Sequence, residues 1–345
     1  MTLDFQSTQP SDLEAIAGAL IIGFQAKPDA GFVKRDLLQW KYFEPGPAWE
    51  ASRSYVLRKN GVIKAHCGVW PMNLEFNGQP ISCNCFVDWV SDRGLPGVGV
   101  LLKKKLMSLA DTAIVVGGSA ETRAVVPRIG FKHTSDVTTF VRVVRPWKQQ
   151  GSRPSERLPK SVARLARNSL WSLSRKVSLP AGWWSEPLLT FESWVDEPHV
   201  NDCPTPMRGS DYLNFWLRLP ASEVSAFAIL YEEQRRGYFL LSKVVGQLRI
   251  ADIRLWSNNS ADWSVAYSLA TRAAEADPAA CEVLAIASTP FAHDALTANG
   301  YHQRGTEPLF LYDPKKKLAN APAMFLNLID GDGAYLYDPE NPFCS

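Results

Sequence analysis

Two Asn-Gly pairs, Asn60-Gly61 and Asn77-Gly78, each lie between strand-like runs, and they fix the topology of the first third of the chain. A two-residue hairpin needs positive φ at both turn positions, which Asn and Gly accept more readily than other residues. The runs "SYVLRK", "VIKAHCGVWPMNLEF" and "ISCNCFVDWV" therefore form an antiparallel meander, with the second turn over Asn77-Gly78-Gln79-Pro80. The third strand ends at "SDRGLPGVGVLL", a Gly- and Pro-rich elbow opening into helix formers from about Val98 to Ala110. Helices at Ser11 to Phe24 and Lys34 to Tyr42 precede the meander. A short buried strand "TAIVVGG", a helical "AETRAVVPRI", a Gly130-Phe131 corner and a strand "SDVTTFVRVV" follow it.

The second half repeats this order. "RDLLQWKYFEP" near Asp36 resembles "SDYLNFWLRLP" near Asp211. Strands "AFAILYE", "GYFLLSKVV" and "QLRIADIRLW" follow, with turns read at Arg236-Gly237 and Gly246-Gln247. Then come a helix from Ala261 to Ala276, a strand "CEVLAIAS", a helical "PFAHDALTAN", a Gly300-Tyr301 corner and "EPLFLY". Each match is weak alone; their shared order argues for a duplicated domain. The fold class is α/β of the α+β type: two domains, 1–145 and 208–345, each a mixed, mostly antiparallel sheet flanked by helices. Residues 146–207 form a basic linker.

In that linker Lys148, Arg153, Arg157, Lys160, Arg164, Arg167, Arg175 and Lys176 stand against Glu156. Leu158, Val162, Leu165, Ser169, Leu173 and Val177 fall on one helical face. Two readings follow: a helix on an anionic membrane surface or acidic partner, or a helix packed across the halves. The packed helix is preferred. The tail "FLNLIDGDGAYLYDPENPFCS" suggests a hairpin turning at Asp330-Gly-Asp-Gly333; the other ligands of a calcium loop are missing.

A chain of 345 residues with 46% hydrophobic content is comfortable for two globular domains. A formal net charge of +2 recruits no nucleic acid. No apolar run is long enough to cross a bilayer, and the N-terminus lacks a signal peptide's pattern. The six cysteines show neither CxxC nor zinc spacing, so reduced thiols in a cytoplasm and no metal are expected.

The elbow has its own chemistry. The N–H groups of Gly97, Val98, Gly99 and Val100 open a helix without intrahelical partners, and the helix dipole adds positive character. Glycine lets backbone approach an anion, and Arg93 is a bidentate cation beside it. This suits a phosphate or diphosphate. The elbow is neither a Walker A motif nor a Rossmann fingerprint. The competing reading is a tight turn with glycines for φ alone.

On "VSDRGLPGVGVLL" and "AIVVGGSAETRAVVPRIGFK", residues 1–145 resemble the GNAT superfamily of acyl-CoA N-acyltransferases. The family's Arg/Gln-x-x-Gly-x-Gly/Ala signature is matched at its end by Gly97-Val98-Gly99, while Pro96 is extra and displaces Arg93 by one position. The second half resembles the fold in outline; its loop "LWSNNSADWS" lacks the glycines, which implies a decayed half. The resemblance implies acetyl-CoA or another acyl-CoA as co-substrate. Its carrier would be held by Arg93, Gly94, Gly97, Val98, Gly99 and Val100, with Arg123 a further contact. Its pantetheine arm would lie between Trp89 and Val90 on one side and Gly117 to Ser119 on the other.

An acceptor amine needs a base, and the leaving thiolate a proton donor. Asp88 matches the family's carboxylate on the strand before the elbow, and Asp252 stands similarly in the second half, so a structural role competes with a catalytic one. His66 is a base candidate or a packed residue. The family's tyrosine is absent: Val126 and Leu296 occupy its positions. Either Ser119 donates, or the thiolate leaves unaided. Cys83 and Cys85 read as core thiols. The implied activity is N-acylation, acetyl foremost, of a small-molecule amine such as an amino sugar of a polysaccharide precursor. The alternatives are a Fem-type aminoacyl transferase using charged tRNA and a non-catalytic CoA sensor or scaffold. Nothing in the sequence bears on oligomeric state.

Overall fold

The computed structural model describes residues 3–46, 52–152, 158–196 and 202–345. Arg153, Glu156 and Arg157 of the linker, and the side chain of Leu158, lie outside the described residues. The front half runs β1 (Asp4–Ser7), α1 (Leu13–Phe24), α2 (Arg35–Tyr42), β2 (Ser54–Lys59), β3 (Val62–Phe76), β4 (Gln79–Ser91), α3 (Val98–Leu106), β5 (Thr112–Val116), α4 (Ala120–Val125) and β6 (Lys132–Val143). Then come α5 (Pro146–Gly151), α6 (Leu158–Ser172), β7 (Trp183–Leu188) and β8 (Thr205–Pro206). The back half repeats the front: α7 (Ser210–Trp216), β9 (Glu223–Tyr231), β10 (Gln234–Val244), β11 (Gln247–Leu255), α8 (Ser260–Ala276), β12 (Glu282–Ala287), α9 (Pro290–Ala298) and β13 (His302–Tyr312).

All strands join one mixed sheet, in the order β1-β2-β3-β4-β5-β13-β6-β12-β11-β10-β9-β7, with β8 paired to β3. The last strands are exchanged: β13 inserts between β5 and β6, and β6 pairs with β12. On one face α2 meets α7 at equivalent positions, where Trp40 stacks on Phe215 with ring centroids 4.5 Å apart. Trp70 and Trp216 complete this buried aromatic cluster.

Both Asn-Gly turns form as read, with Asn60, Gly61, Asn77 and Gly78 all at positive φ. The second is tighter than expected, since Phe76 already pairs with Gln79. Between β9 and β10 the turn is Glu232-Glu233, not Arg236-Gly237: Tyr231 pairs with Gln234. Gly237 lies within β10, where a Cβ would meet the Arg254 carbonyl at 2.1 Å. Close backbone approach, not a turn, requires that glycine. The expected C-terminal hairpin is absent too; a 3-10 turn at Leu328–Asp330 replaces it.

The linker helix docks by an unexpected face. Val162 and Leu173 are exposed, while Asn168 is buried and bonds Gln149 at 2.7 Å. Trp171 stacks on His302, 4.2 Å between centroids. No helix of the described residues is long and apolar enough to cross a membrane.

In the back half β11 and β12 pair in parallel over only three residues and then part. Phe325, from the segment after β13, fills that opening. It is 2% exposed, between Trp263 of α8 and Phe291 of α9, with the Arg254 guanidinium 5.0 Å from its ring centre. Phe325→Ala empties a packed site and is expected to cost about 3–5 kcal/mol, measured by urea denaturation.

Candidate active site

The matching opening in the front half is not filled. β4 and β5 pair at Cys83–Thr112, Asn84–Ala113 and Cys85–Ile114, then separate. A bulge on β4 accompanies the separation: Gly68 faces Val87 and His66 faces Val90, so Asp88 and Trp89 share the span of Cys67 alone. Asp88 takes φ +51, a left-handed conformation that Asp tolerates better than most residues.

Three side chains hold the bulge. Lys41 and Tyr42, consecutive at the end of α2, both reach the Asp88 carboxylate. His66 Nδ1 lies 3.0 Å from the Asp88 carbonyl, and its Nε2 lies 2.9 Å from Ser54 Oγ. A carbonyl only accepts, so Nδ1 carries the proton and Nε2 accepts from the serine. Burial pushes the His66 pKa down to about 4, keeping the ring neutral. Burial pushes the Asp88 carboxyl up, but the charge of Lys41 and the hydrogen bonds from Lys41 and Tyr42 outweigh it, leaving Asp88 below its ordinary value.

Between the parted strands lies a cleft of about 810 Å³. Gly97, Gly99, Val100 and Arg93 stand at its mouth. Gly97 caps α3 at φ +82. Val98 N–H is spent on the Leu95 carbonyl at 3.3 Å, so three amides and not four remain: those of Gly97, Gly99 and Val100 have no acceptor among the described residues. Gly99 lies under the end of β4, where a Cβ would meet Ser91 Oγ at 2.9 Å and Trp89 Nε1 at 3.2 Å. The Gln25 amide, with its oxygen turned to Arg93, accepts from both Nη atoms at 3.1 Å. The facing wall is Val115, Val116, Gly118 and Ser119. A further part comes from residues distant in sequence: Glu307 of β13 and the segment Leu326–Gly333.

Of the charged residues lining this cleft that the sequence reading missed, two bear on its chemistry. Lys103 of α3 is 1% exposed, and its Nζ lies 4.0 Å from the Trp89 ring centre and 5.0 Å from that of Phe86. It has no carboxylate partner among the described residues, and burial lowers its pKa to about 8. Helical spacing was the available signal: of Lys103, Lys104 and Lys105, only Lys103 shares the buried face of Gly99, Leu102 and Leu106. Asp332 is the second. Burial raises its carboxyl above the ordinary range, partly offset by Lys41. No local signal marked it, because its neighbours are distant in sequence.

Of the anticipated residues, Asp88, Trp89, Val90, Arg93, Gly97, Gly99, Val100 and Ser119 line the cleft. His66, Gly94, Val98 and Arg123 do not. His66 is sealed in the wall behind the bulge, Gly94 N–H bonds Asp92 at 2.7 Å, and Val98 is buried beneath α3. Arg123 turns to the Gly118 carbonyl at 2.8 Å and to Glu307 at 3.2 Å. Ser119 Oγ caps α4, accepting from Thr122 N–H at 3.2 Å. Cys83 and Cys85 are buried, and burial raises both thiols, Cys83 to about 12.

Comparison with solved structures finds this architecture elsewhere. A GCN5-related N-acetyltransferase from Anabaena variabilis matches with a TM-score of 0.57 at 12% identity, over 90% of this chain and 72% of the other. Saccharomyces cerevisiae N-myristoyltransferase, solved with bound myristoyl-CoA, matches at 0.56 and 12%, over 90% and 82%. Eis1 from Mycobacterium abscessus matches at 0.53 and 10%, over 92% and 75%. The chain thus has the GNAT fold. No protein-family model and no curated protein sequence matches it.

Lys41→Met leaves a buried carboxylate without its cation and is expected to cost about 3–5 kcal/mol at neutral pH. Asp88 has a folded pKa below its unfolded 3.8, so its contribution is complete above that value and is lost as pH falls through the folded pKa. The stability gap between wild type and Lys41→Met should therefore narrow on acidification, read by denaturation curves from neutral pH downward.

Proposed function

We propose that the protein is an acyl-CoA-dependent N-acyltransferase acting on a small-molecule amine. The observation that carries this reading is the set of three unpartnered amides on a glycine-bearing helix N-terminus, at the mouth of a cleft between parted strands. Free N–H groups and the positive end of α3 suit a diphosphate. Arg93 adds a cation at the same mouth. An extended arm entering from there meets the unpaired edge of β4, as an added strand would. Its thioester end then lies toward Cys85 and the bulge, where Lys103 and Asp332 stand.

The roles divide by charge state. Asp88, held low by Lys41, is a structural anion and a poor base. Asp332, raised by burial, takes the proton that the acceptor ammonium must lose before it attacks. The amine nitrogen bonds to the thioester carbon, the carbon–sulfur bond breaks, and the electron pair leaves on sulfur. Lys103, a buried ammonium, donates the proton the thiolate takes up, and the second proton, shed by the nitrogen as the amide forms, passes to solvent, from which Lys103 regains its own. Lys103 faces the rings of Phe86, Trp89 and Phe131 and the thiols of Cys67 and Cys85, and no carboxylate among the described residues pairs with it. It stands in for the absent tyrosine, a role for which Ser119, occupied as a helix cap, is less suited. An acetyl donor and an amino-sugar acceptor are the first candidates.

Thermal shift with CoA and acetyl-CoA, then thiol release over a panel of amines that includes amino sugars, tests the reading. A shift without turnover on any amine favours a sensor, and binding of tRNA without CoA favours a Fem-type transferase. Gly97→Val forces a β-branched residue to φ +82, and Gly99→Val drives into Ser91 and Trp89. Each is expected to weaken CoA binding by about tenfold or more, measured by calorimetry.

Asp332→Asn is expected to keep CoA binding and to melt no lower than wild type at neutral pH, because a raised carboxyl is disfavoured there in its ionised form. Turnover should fall by about 10²–10⁴-fold, followed by thiol release, and Lys103→Met should lower it similarly.

A further inference from the structure

The linker helix leaves one face uncovered, and that face is apolar. Val162 is 64% exposed, Leu170 71% and Leu173, just past the helix end, 78%. Ala166 is exposed between them. At 3.6 residues per turn these four positions fall within about a quarter of the helix circumference. The opposite face is the one that docks, through Asn168 and Trp171. The exposed stripe is thus not the helix's packing face with its partner removed.

The preceding helix adds an anchor. Gln150 Nε2 donates to Ser161 Oγ at 2.6 Å, and Asn168 Nδ2 donates to Gln149 Oε1 at 2.7 Å, so α5 and α6 are tied together. On α5, Trp147 is 74% exposed, the most open tryptophan among the described residues with large exposed apolar side chains. Tryptophan at a protein surface is a typical resident of the headgroup zone of a bilayer.

Charge selects the occupant. From Arg157 to Ser185 the chain has no Asp or Glu, and it carries Arg157, Lys160, Arg164, Arg167, Arg175 and Lys176. Lys176 is neutralised by Glu275, and Arg167 lies over the Trp171 ring. Lys160 and Arg175 remain exposed. A second protein copy would bring the same excess of cations and repel it. We infer that α5 and α6 dock the enzyme on an anionic membrane surface, with Val162, Leu170, Leu173 and Trp147 entering the headgroup layer. The helix lies in the plane of the interface and does not span it.

The test is sedimentation of the full chain with vesicles of phosphatidylcholine alone or mixed with phosphatidylserine, beside the variant Leu170→Asp/Leu173→Asp. Both substituted side chains are exposed and lie outside the cleft. Binding is expected to the mixed vesicles, to be weak on the neutral ones and to fall with added salt. The double variant should bind at least about tenfold more weakly, with an unchanged melting temperature. Failure of wild type to sediment with the mixed vesicles at low salt would overturn the inference, as would equal binding by the variant. Analytical ultracentrifugation without lipid supplies the other arm. A wild-type dimer that the variant abolishes would make this face a protein interface instead.

Discussion

The cleft depends on one buried ion pair. Asp88 holds a left-handed backbone conformation in the middle of a strand, with its carboxylate out of water. Neither condition is favourable alone: the conformation is strained for an L-residue, and burying the charge costs several kcal/mol. Lys41 and Tyr42 offset both by fixing the carboxylate, and His66 fixes the carbonyl. With the bulge pinned, β4 turns away from β5 and the space between them opens. The back half meets the same requirement with other residues. Asp252, near a bulge between β10 and β11, is bound by Arg208 at 3.0 Å and Tyr238 at 3.0 Å. The position of Lys41 on α2 is taken on α7 by Trp216, which belongs to the apolar cluster.

Two similar openings therefore have opposite fates. Behind the front opening, glycines keep backbone amides accessible and no side chain enters. At the back opening Asn259 and Ala261 stand at the start of α8 where α3 has Gly97 and Gly99, and Trp263, two residues further on, lies against Phe325. The segment that closes one opening continues through Leu326 to Gly333 and becomes a wall of the other. A single stretch of chain thus performs packing at Phe325 and presents an ionisable group at Asp332.

What was legible in the sequence was what local rules govern. The Asn-Gly hairpins, the helix after Gly97, the Gly130 and Gly300 corners and the repeated element order all follow from residues near one another. The glycine elbow was legible as a helix start with free amides, though Leu95 takes one of them through a bond within the loop. The illegible parts are those set by distant partners. Nothing near "EPLFLY" says that this strand lies between β5 and β6. The helical face holding Val162 and Leu173 looks buried by periodicity alone, yet Asn168 and Trp171 have fixed partners on Gln149 and His302. Asp88 was identified as a candidate carboxylate, but its charge state is decided by Lys41, forty-seven positions earlier. Lys103 was within reach of a helical-wheel argument; Asp332 was not.

The exchange of β6 and β13 sets the order in which the molecule can be made. During synthesis β5 emerges with one edge unmatched, and the strand that covers it, β13, is nearly two hundred residues from leaving the ribosome. The front lobe cannot complete its sheet as a nascent chain. A polypeptide ending between β6 and β13 would keep the glycine elbow yet leave the β5 edge uncovered, a template for aggregation. The competence of the front half is thus conferred by a strand translated long after it.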